Sequence, residues 1–258
     1  MRLKDRVALV TGGSSGIGRG ICLELAGEGA RIVVADVRET PKQGKYHDVE
    51  PMAPTADLIS SRGGEAKFFE ADMADPDAVK LLISNCVACF GGLDILINNA
   101  GIHFPGNSQS LNIPDWDLVM GVNLRGPFLA TKWAVPHLKK SKAGRIIHIA
   151  SVHAFAGGGG PAYPVAKAGL VNLTRDSAVE LAPFGVTVNS ICPGYIETPL
   201  QDYQSREDIE KARQRTPLPR LGLPRDVGRA AVFFASDDAE WVTGTALPVD
   251  GGWLAPIT

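Results

Sequence analysis

The chain has no apolar run that approaches the roughly 18 uninterrupted residues a membrane-spanning helix needs. It has little cysteine. The four residues Cys22, Cys86, Cys89 and Cys192 are too sparse for a disulfide framework. It has almost no net charge, −2 over 258 residues, which speaks against nucleic acid or an anionic membrane as partner. It has five histidines, at 47, 103, 137, 148 and 153, and none shows paired ligand spacing. Cys86 and Cys89 have the spacing of half a zinc or redox site, with no second pair to complete it, so no metal is expected. The charged start leads into Val7-Ala8-Leu9-Val10, which is too short for a signal-peptide core. The cytoplasm is the expected location. There is no internal repeat and no charged tail.

What is present is an ordinary globular composition, 45% apolar and 21% charged. Residues 1–258 suit one large α/β domain. Strand-like apolar runs fall at 7–10, 31–36, 66–69, 93–97, 145–150, 187–191 and 245–249. Helical periodicity falls at 16–28, 78–90, 115–140, 162–181 and 226–235, the third with a break near Gly121 or Gly126. Strand and helix alternate from end to end. That rhythm predicts a doubly wound parallel sheet, a Rossmann fold, with helices on both faces. Two segments interrupt it. Residues 38–54 form a long loop, and residues 198–224 are polar with a helical centre, suited to a lid over a substrate.

Thr11-Gly12-Gly13-Ser14-Ser15-Gly16-Ile17-Gly18 follows the first strand and opens the first helix. Glycines there permit a tight turn and let a pyrophosphate approach backbone N–H groups at the helix N-terminus. A plain glycine-rich turn is the alternative; the strand–loop–helix context favours a nucleotide. Asp36 closes the second strand, where a carboxylate accepts hydrogen bonds from the adenosine ribose and repels the 2′-phosphate of NADP. NAD is therefore the expected cofactor, with Arg19 and Arg38 as residues that could instead meet a phosphate.

The glycine loop, Asn98-Asn99-Ala100-Gly101, Tyr163-Pro164-Val165-Ala166-Lys167 and Pro193-Gly194 occur in one order along the chain. In this the chain resembles the short-chain dehydrogenase/reductase family over essentially its whole length. The resemblance implies a homotetrameric oxidoreductase that interconverts a secondary alcohol and its ketone. It implies a catalytic set of Asn123, Ser151, Tyr163 and Lys167, and cofactor contacts from Asp72, Met73, Asn99, Ala100, Gly101, Pro193, Gly194, Ile196 and Thr198. Gly12, Ser14, Ser15, Gly16, Ile17, Gly18 and Asp36 complete the cofactor set, together with Tyr163 and Lys167.

The residues carry their own chemistry beside that. Tyr163 and Lys167 lie at i and i+4, on one helix face. An ammonium beside a phenol lowers its pKa, so the tyrosine can exchange a proton near neutrality. A surface Tyr–Lys pair is the plain alternative. Ser151 ends the fifth strand, at the sheet edge where ligands sit, and the resemblance makes it the residue orienting the reacting oxygen. An Asn inside a helix is intrinsically unfavourable, which fits a local break at Asn123. His103 and His153 follow strands four and five and are expected to line the substrate pocket with Tyr195. A sugar, a polyol, a cyclic alcohol or a hydroxy ester would suit it. Two alternatives stand beside this expectation: an NADP-dependent carbonyl reductase, and a non-catalytic NAD-sensing or scaffold protein. The second would be expected to have lost the tyrosine or the lysine.

Overall fold

Seven segments form one sheet in the computed structural model, which describes residues 1–255. In chain order they are β1 (Val7–Thr11), β2 (Arg31–Asp36), β3 (Ala66–Glu70), β4 (Ile95–Asn98), β5 (Arg145–Ile149), β6 (Thr187–Pro193) and β7 (Ala246–Val249). Every neighbouring pair is parallel, in the spatial order β3-β2-β1-β4-β5-β6-β7. β1, β4, β5 and β6 are buried at every position. Strands covered on both faces need no polar alternation, which is why β1 and β4 read as largely apolar runs.

The crossovers carry α1 (Gly16–Gly27), α2 (Thr55–Ser61), α3 (Pro76–Phe90), α4 (Ile113–Met120), α5 (Gly126–Leu138), α6 (Tyr163–Leu181), α7 (Arg206–Arg215) and α8 (Pro224–Ala235). On one face Ile21 and Leu25 of α1 and Val227 and Phe234 of α8 pack over Ala8, Val10, Ile32 and Val34. On the other, Leu82 and Ile83 of α3 and Ala130 and Ala134 of α5 cover Leu9, Val33, Leu96 and Ile146. Each fully buried Leu, Ile, Val or Phe contributes ~1.5–3 kcal/mol. The expected doubly wound sheet with helices on both faces is the fold of the protein. Among the described residues, no helix is long and apolar enough to cross a membrane.

Two elements differ from the expectation. The helix expected over 115–140 is α4 and α5 joined by a π turn at Gly121–Arg125. That turn packs an extra residue into the spiral and re-aims the side chain of Asn123. Gly126 opens α5 because a Cβ there would lie 2.7 Å from the carbonyl oxygen of Met73. The second difference is α2, whose seven residues are too few to leave a periodic signal.

β1 and β4 lie side by side, yet their crossovers depart to opposite sides of the sheet. Their carboxyl ends, Thr11 and Asn98, therefore flank the crevice where such sheets hold ligands.

Candidate active site

A cleft of about 820 Å³ runs along the carboxyl ends of the strands. One end is the glycine loop. Gly12 and Gly16 adopt positive φ, +65° and +51°, so side chains are strained there. The Thr11 hydroxyl accepts from the backbone N–H of Asn99 at 3.0 Å and of Ala100 at 3.1 Å. The Asn99 amide returns two bonds, to the carbonyls of Thr11 at 2.8 Å and Gly12 at 3.1 Å. Asn99 thus braces the loop. A Cβ on Gly18 would stand 2.0 Å from the Gly12 oxygen, so only glycine lets the first turn of α1 close on the loop. No side chain caps α1; the Ser15 hydroxyl accepts from Lys42 N–H at 2.6 Å. The free N–H groups and positive dipole end of α1 therefore open on the cleft at Ser15, Gly16, Ile17 and Gly18, which fits a pyrophosphate.

Ser14 is buried off the cleft wall, and its hydroxyl donates to the Arg38 carbonyl at 2.8 Å. Asp36 is on the wall. Its two oxygens accept from Ser14 N–H at 3.1 Å and Val37 N–H at 2.8 Å. Burial raises its pKa and those N–H groups counter the rise. Each oxygen retains a lone pair for a ribose hydroxyl. Of the two arginines, Arg38 lines the cleft, while Arg19 points away and donates to Ala53 O at 2.8 Å and the Thr55 hydroxyl at 3.0 Å. Asp72, Met73, Ala100 and Gly101 also line the cleft, and Asp72 accepts from Ala74 N–H at 2.8 Å.

Tyr163 opens α6, and Lys167 lies one turn on, 3% exposed. The Lys167 ammonium donates to the Ile149 carbonyl at 2.8 Å and sits 5.5 Å from the Tyr163 ring centre. Burial brings the Lys167 pKa down to about 8. Burial likewise pushes the Tyr163 phenol up to about 12, with the Ser151 hydroxyl pulling the other way. The phenol thus stands above its ordinary value, against the lowering expected from Lys167. Ser151, buried at the end of β5, accepts from His153 N–H at 3.1 Å. Asn123 is fully buried in the π turn. A Cβ built on Gly101 would lie 3.3 Å from Asn123 Oδ1 and 3.4 Å from Lys167 Nζ, so these two groups converge on that glycine. A phenol, an ammonium and a hydroxyl at one cleft wall can hold a carbonyl oxygen and exchange a proton with it.

Beyond Tyr163 the walls are aromatic and histidine-rich. His103, His153 and Tyr195 all line this end. Tyr195 is 9% exposed and its hydroxyl has no partner among the described residues. Pro193, Gly194, Ile196 and Thr198 follow β6 along the wall, and Thr198 leads into a short turn, Pro199–Tyr203. α7 and Trp253 complete it, with the Arg215 guanidinium 4.9 Å from the Trp253 ring centre.

The long loop over residues 38–54 contacts both the glycine loop and the segment after β6. Lys42 reaches from Ser15 to the Pro199 carbonyl, where its ammonium donates at 3.3 Å. Lys45 N–H donates to Asp202 at 3.0 Å, and His47 lies 3.9 Å from Glu197. This strap crosses from the glycine loop to the segment after β6.

Sequence reasoning missed Thr11, Lys42, Tyr203 and Trp253. Thr11 sits beside the glycines and belongs to the same motif. The other three occupy irregular segments, where no periodicity points at a neighbour. It also missed a buried pair: His148 Nδ1 lies 3.1 Å from Asn98 Nδ2 beneath the site, and desolvation takes the imidazole down to about 3.

The family profile described as enoyl-(acyl carrier protein) reductase matches residues 12–254. The chain is 38% identical to (2S)-((R)-hydroxy(phenyl)methyl)succinyl-CoA dehydrogenase subunit BbsD of Thauera aromatica, over 98% of either chain. It is 34% identical to the 3-oxoacyl-(acyl-carrier-protein) reductase FabG of Thermotoga maritima, over 98% of this chain and 99% of that one. A solved structure from Agrobacterium tumefaciens, assigned as a 2-deoxy-D-gluconate 3-dehydrogenase with bound NADP, superposes with a TM-score of 0.86. It is 39% identical, over 98% of both chains.

Proposed function

The chain belongs to the short-chain dehydrogenase/reductase family, nicotinamide-dependent enzymes that act on CH–OH groups, and on that premise we propose an NAD-dependent dehydrogenase that interconverts a secondary alcohol and its ketone. The observation that carries this reading is the buried Lys167 beneath Tyr163, with Ser151 on the same cleft wall. The nicotinamide, when bound, supplies or accepts the hydride. Ser151 and Tyr163 hold the reacting oxygen. Tyr163 gives that oxygen a proton in reduction and takes one in oxidation. Lys167 keeps a positive charge beside the phenol and favours its ionised form. Asn123 fixes the backbone behind Lys167. The N-terminus of α1 holds the pyrophosphate, Asp36 the adenosine ribose, and Ile196 and Thr198 the carboxamide end. Residues 198–224 act as the lid.

Asp36 on the cleft wall supports NAD. Arg38 and Lys42 on the same wall favour a second reading, NADP. One measurement separates them: kcat/KM with each cofactor, followed by absorbance of the reduced nicotinamide over a panel of alcohols and ketones. A preference for NAD of tenfold or more, about 1.4 kcal/mol, is expected. A preference for NADP overturns the assignment of Asp36, and no turnover of any compound overturns the dehydrogenase reading.

The family resemblance extends the proposal to a homotetramer. Phe128 of α5 and Val165 and Val179 of α6 are apolar and exposed on outer helix faces, which suits pairing across two-fold axes. The reading keeps the cytoplasm as its location.

A further inference from the structure

Gly159 ties two imidazoles together beside Tyr163. His103 Nε2 lies 3.2 Å from the Gly159 carbonyl oxygen. A carbonyl only accepts, so the proton of a neutral His103 sits on Nε2 and Nδ1 is left as an acceptor. On its other side Gly159 abuts His153. A Cβ there would lie 3.3 Å from His153 Cγ and Cδ2 and 3.2 Å from Pro164 Cγ, tighter than ordinary contact. The missing side chain lets this carbonyl sit between His153 and His103.

His103 Nδ1 is shielded from solvent and has no hydrogen-bond partner among the described residues. A buried acceptor in that condition costs free energy until a donor reaches it. The ring stands edge-on to Tyr163, with centres 5.5 Å apart at 81°. Its face lies against Tyr203, at 4.5 Å and 32°. The unpaired acceptor thus belongs to a ring wedged between the phenol and the Pro199–Tyr203 turn. Burial lowers the His103 pKa, with the Gly159 carbonyl opposing and His153 adding to the shift.

We propose that His103 is a specificity-determining residue whose Nδ1 accepts a hydrogen bond from a hydroxyl on the carbon next to the reacting one. The substrates are then vicinal diols and the corresponding α-hydroxy ketones. This rests on the dehydrogenase reading and adds the substrate class to it. The two oxygens of a vicinal diol are about one hydrogen bond apart, ~2.8 Å, so a substrate held by Tyr163 and Ser151 presents its second hydroxyl to the neighbouring wall. Tyr203 packs over the face of the His103 ring and leaves the in-plane Nδ1 lone pair as the group a substrate hydroxyl would meet. A simple alcohol leaves Nδ1 buried and unpaired, and a site built around a substrate hydroxyl discriminates against the analogue that lacks it.

The test compares matched pairs, 2-butanol with 2,3-butanediol and cyclohexanol with the 1,2-cyclohexanediols. The protein is the full chain with its preferred cofactor, and the variants are His103→Phe and His103→Gln. Wild type is expected to favour the diol by ~10- to 100-fold in kcat/KM. H103F, which keeps the aromatic stack and loses the acceptor, is expected to bring that ratio close to one. H103Q can still donate to Gly159 and present an amide oxygen, and is expected to retain part of the preference. Cofactor binding, read from nicotinamide fluorescence, checks that each variant is folded; should H103F fail that check, the H103Q ratio carries the comparison. Equal kcat/KM for both members of a pair in wild type, or a ratio unchanged in the variant, overturns the proposal alone. No turnover of any alcohol or ketone by wild type overturns the dehydrogenase reading and this proposal with it.

Discussion

Asn123 grips Ile102 by both ends of its amide. Its Oδ1 accepts from Ile102 N–H at 2.8 Å, and its Nδ2 donates to the Ile102 carbonyl at 2.8 Å. One N–H and one lone pair of the amide remain after these two bonds. The grip locks the loop after β4 to the π turn and sets the position of His103, the next residue. Asn123→Ala leaves two backbone groups without partners in a buried place. It is expected to cost ~2–4 kcal/mol in urea denaturation and to lower turnover.

Tyr163→Phe removes the hydroxyl and keeps the ring edge against His103 and His153. Turnover is expected to fall by ~10²- to 10⁴-fold, the span of a lost general acid or base. The dissociation constant of the nicotinamide cofactor is expected to stay within a few-fold, since the phosphate cradle lies at the other end of the cleft. The comparison needs an activity assay and a fluorescence titration. Wild-type turnover in the variant would remove Tyr163 from the chemistry.

Lys167 titrates at about 8 in the folded protein, against an ordinary 10.5. A folded-state pKa below the unfolded one means that burying the charge opposes folding. The cost, about 3 kcal/mol at most, is fully present below pH 8 and is gone by pH 10.5. Lys167→Met is therefore expected to stabilise the protein at neutral pH by ~1–2 kcal/mol, after loss of the bond to Ile149, while abolishing turnover. The gain is expected to disappear when denaturation is repeated near pH 10. A variant less stable than wild type at both values would contradict it.

His148 is buried and neutral, its pKa near 3 against an ordinary 6.5. The unfolded chain binds a proton in that interval and the folded one does not. Stability drawn from this group is complete above pH 6.5 and drains as pH falls towards 3. Between pH 6.5 and about pH 4 the loss comes to ~3 kcal/mol. His148→Gln, which cannot charge, is expected to lose that much less over the same range in chemical denaturation at the two pH values.

The parts of this protein that were legible in its sequence are those with a repeating local cause. Buried parallel strands announced themselves as mostly apolar runs because both faces are covered, with the few polar residues among them, such as His148 and Asn98, paired in the interior. The glycine loop was legible because its backbone forbids side chains at fixed positions: Gly18 has no room for a carbon beside Gly12. Tyr163 and Lys167 were legible as a helical pair. The π turn was visible only as the hint of a break at Gly121 or Gly126, because its extra residue alters the spiral without altering composition. The contact of His103 with Gly159 joins two loops far apart in the chain, and no spacing rule encodes it. Lys42 was missed for the same reason. Its partners, Ser15 and Pro199, are far apart in the chain, and only the folded chain brings them to one lysine.

The strap over residues 38–54 has a consequence for the order in which the two ligands are added. Lys42 N–H bonds Ser15 in the cradle where adenosine and pyrophosphate are held, and the Lys42 ammonium and Lys45 N–H hold Pro199 and Asp202 of the turn after β6. Seating the nucleotide displaces or secures the same segment that governs access for the alcohol. In a two-substrate rate law such a tie is the signature of a compulsory sequence, cofactor first, with product inhibition competitive between the two nicotinamide forms. Cutting it with Lys42→Ala and Asp202→Ala turns that pattern towards random addition.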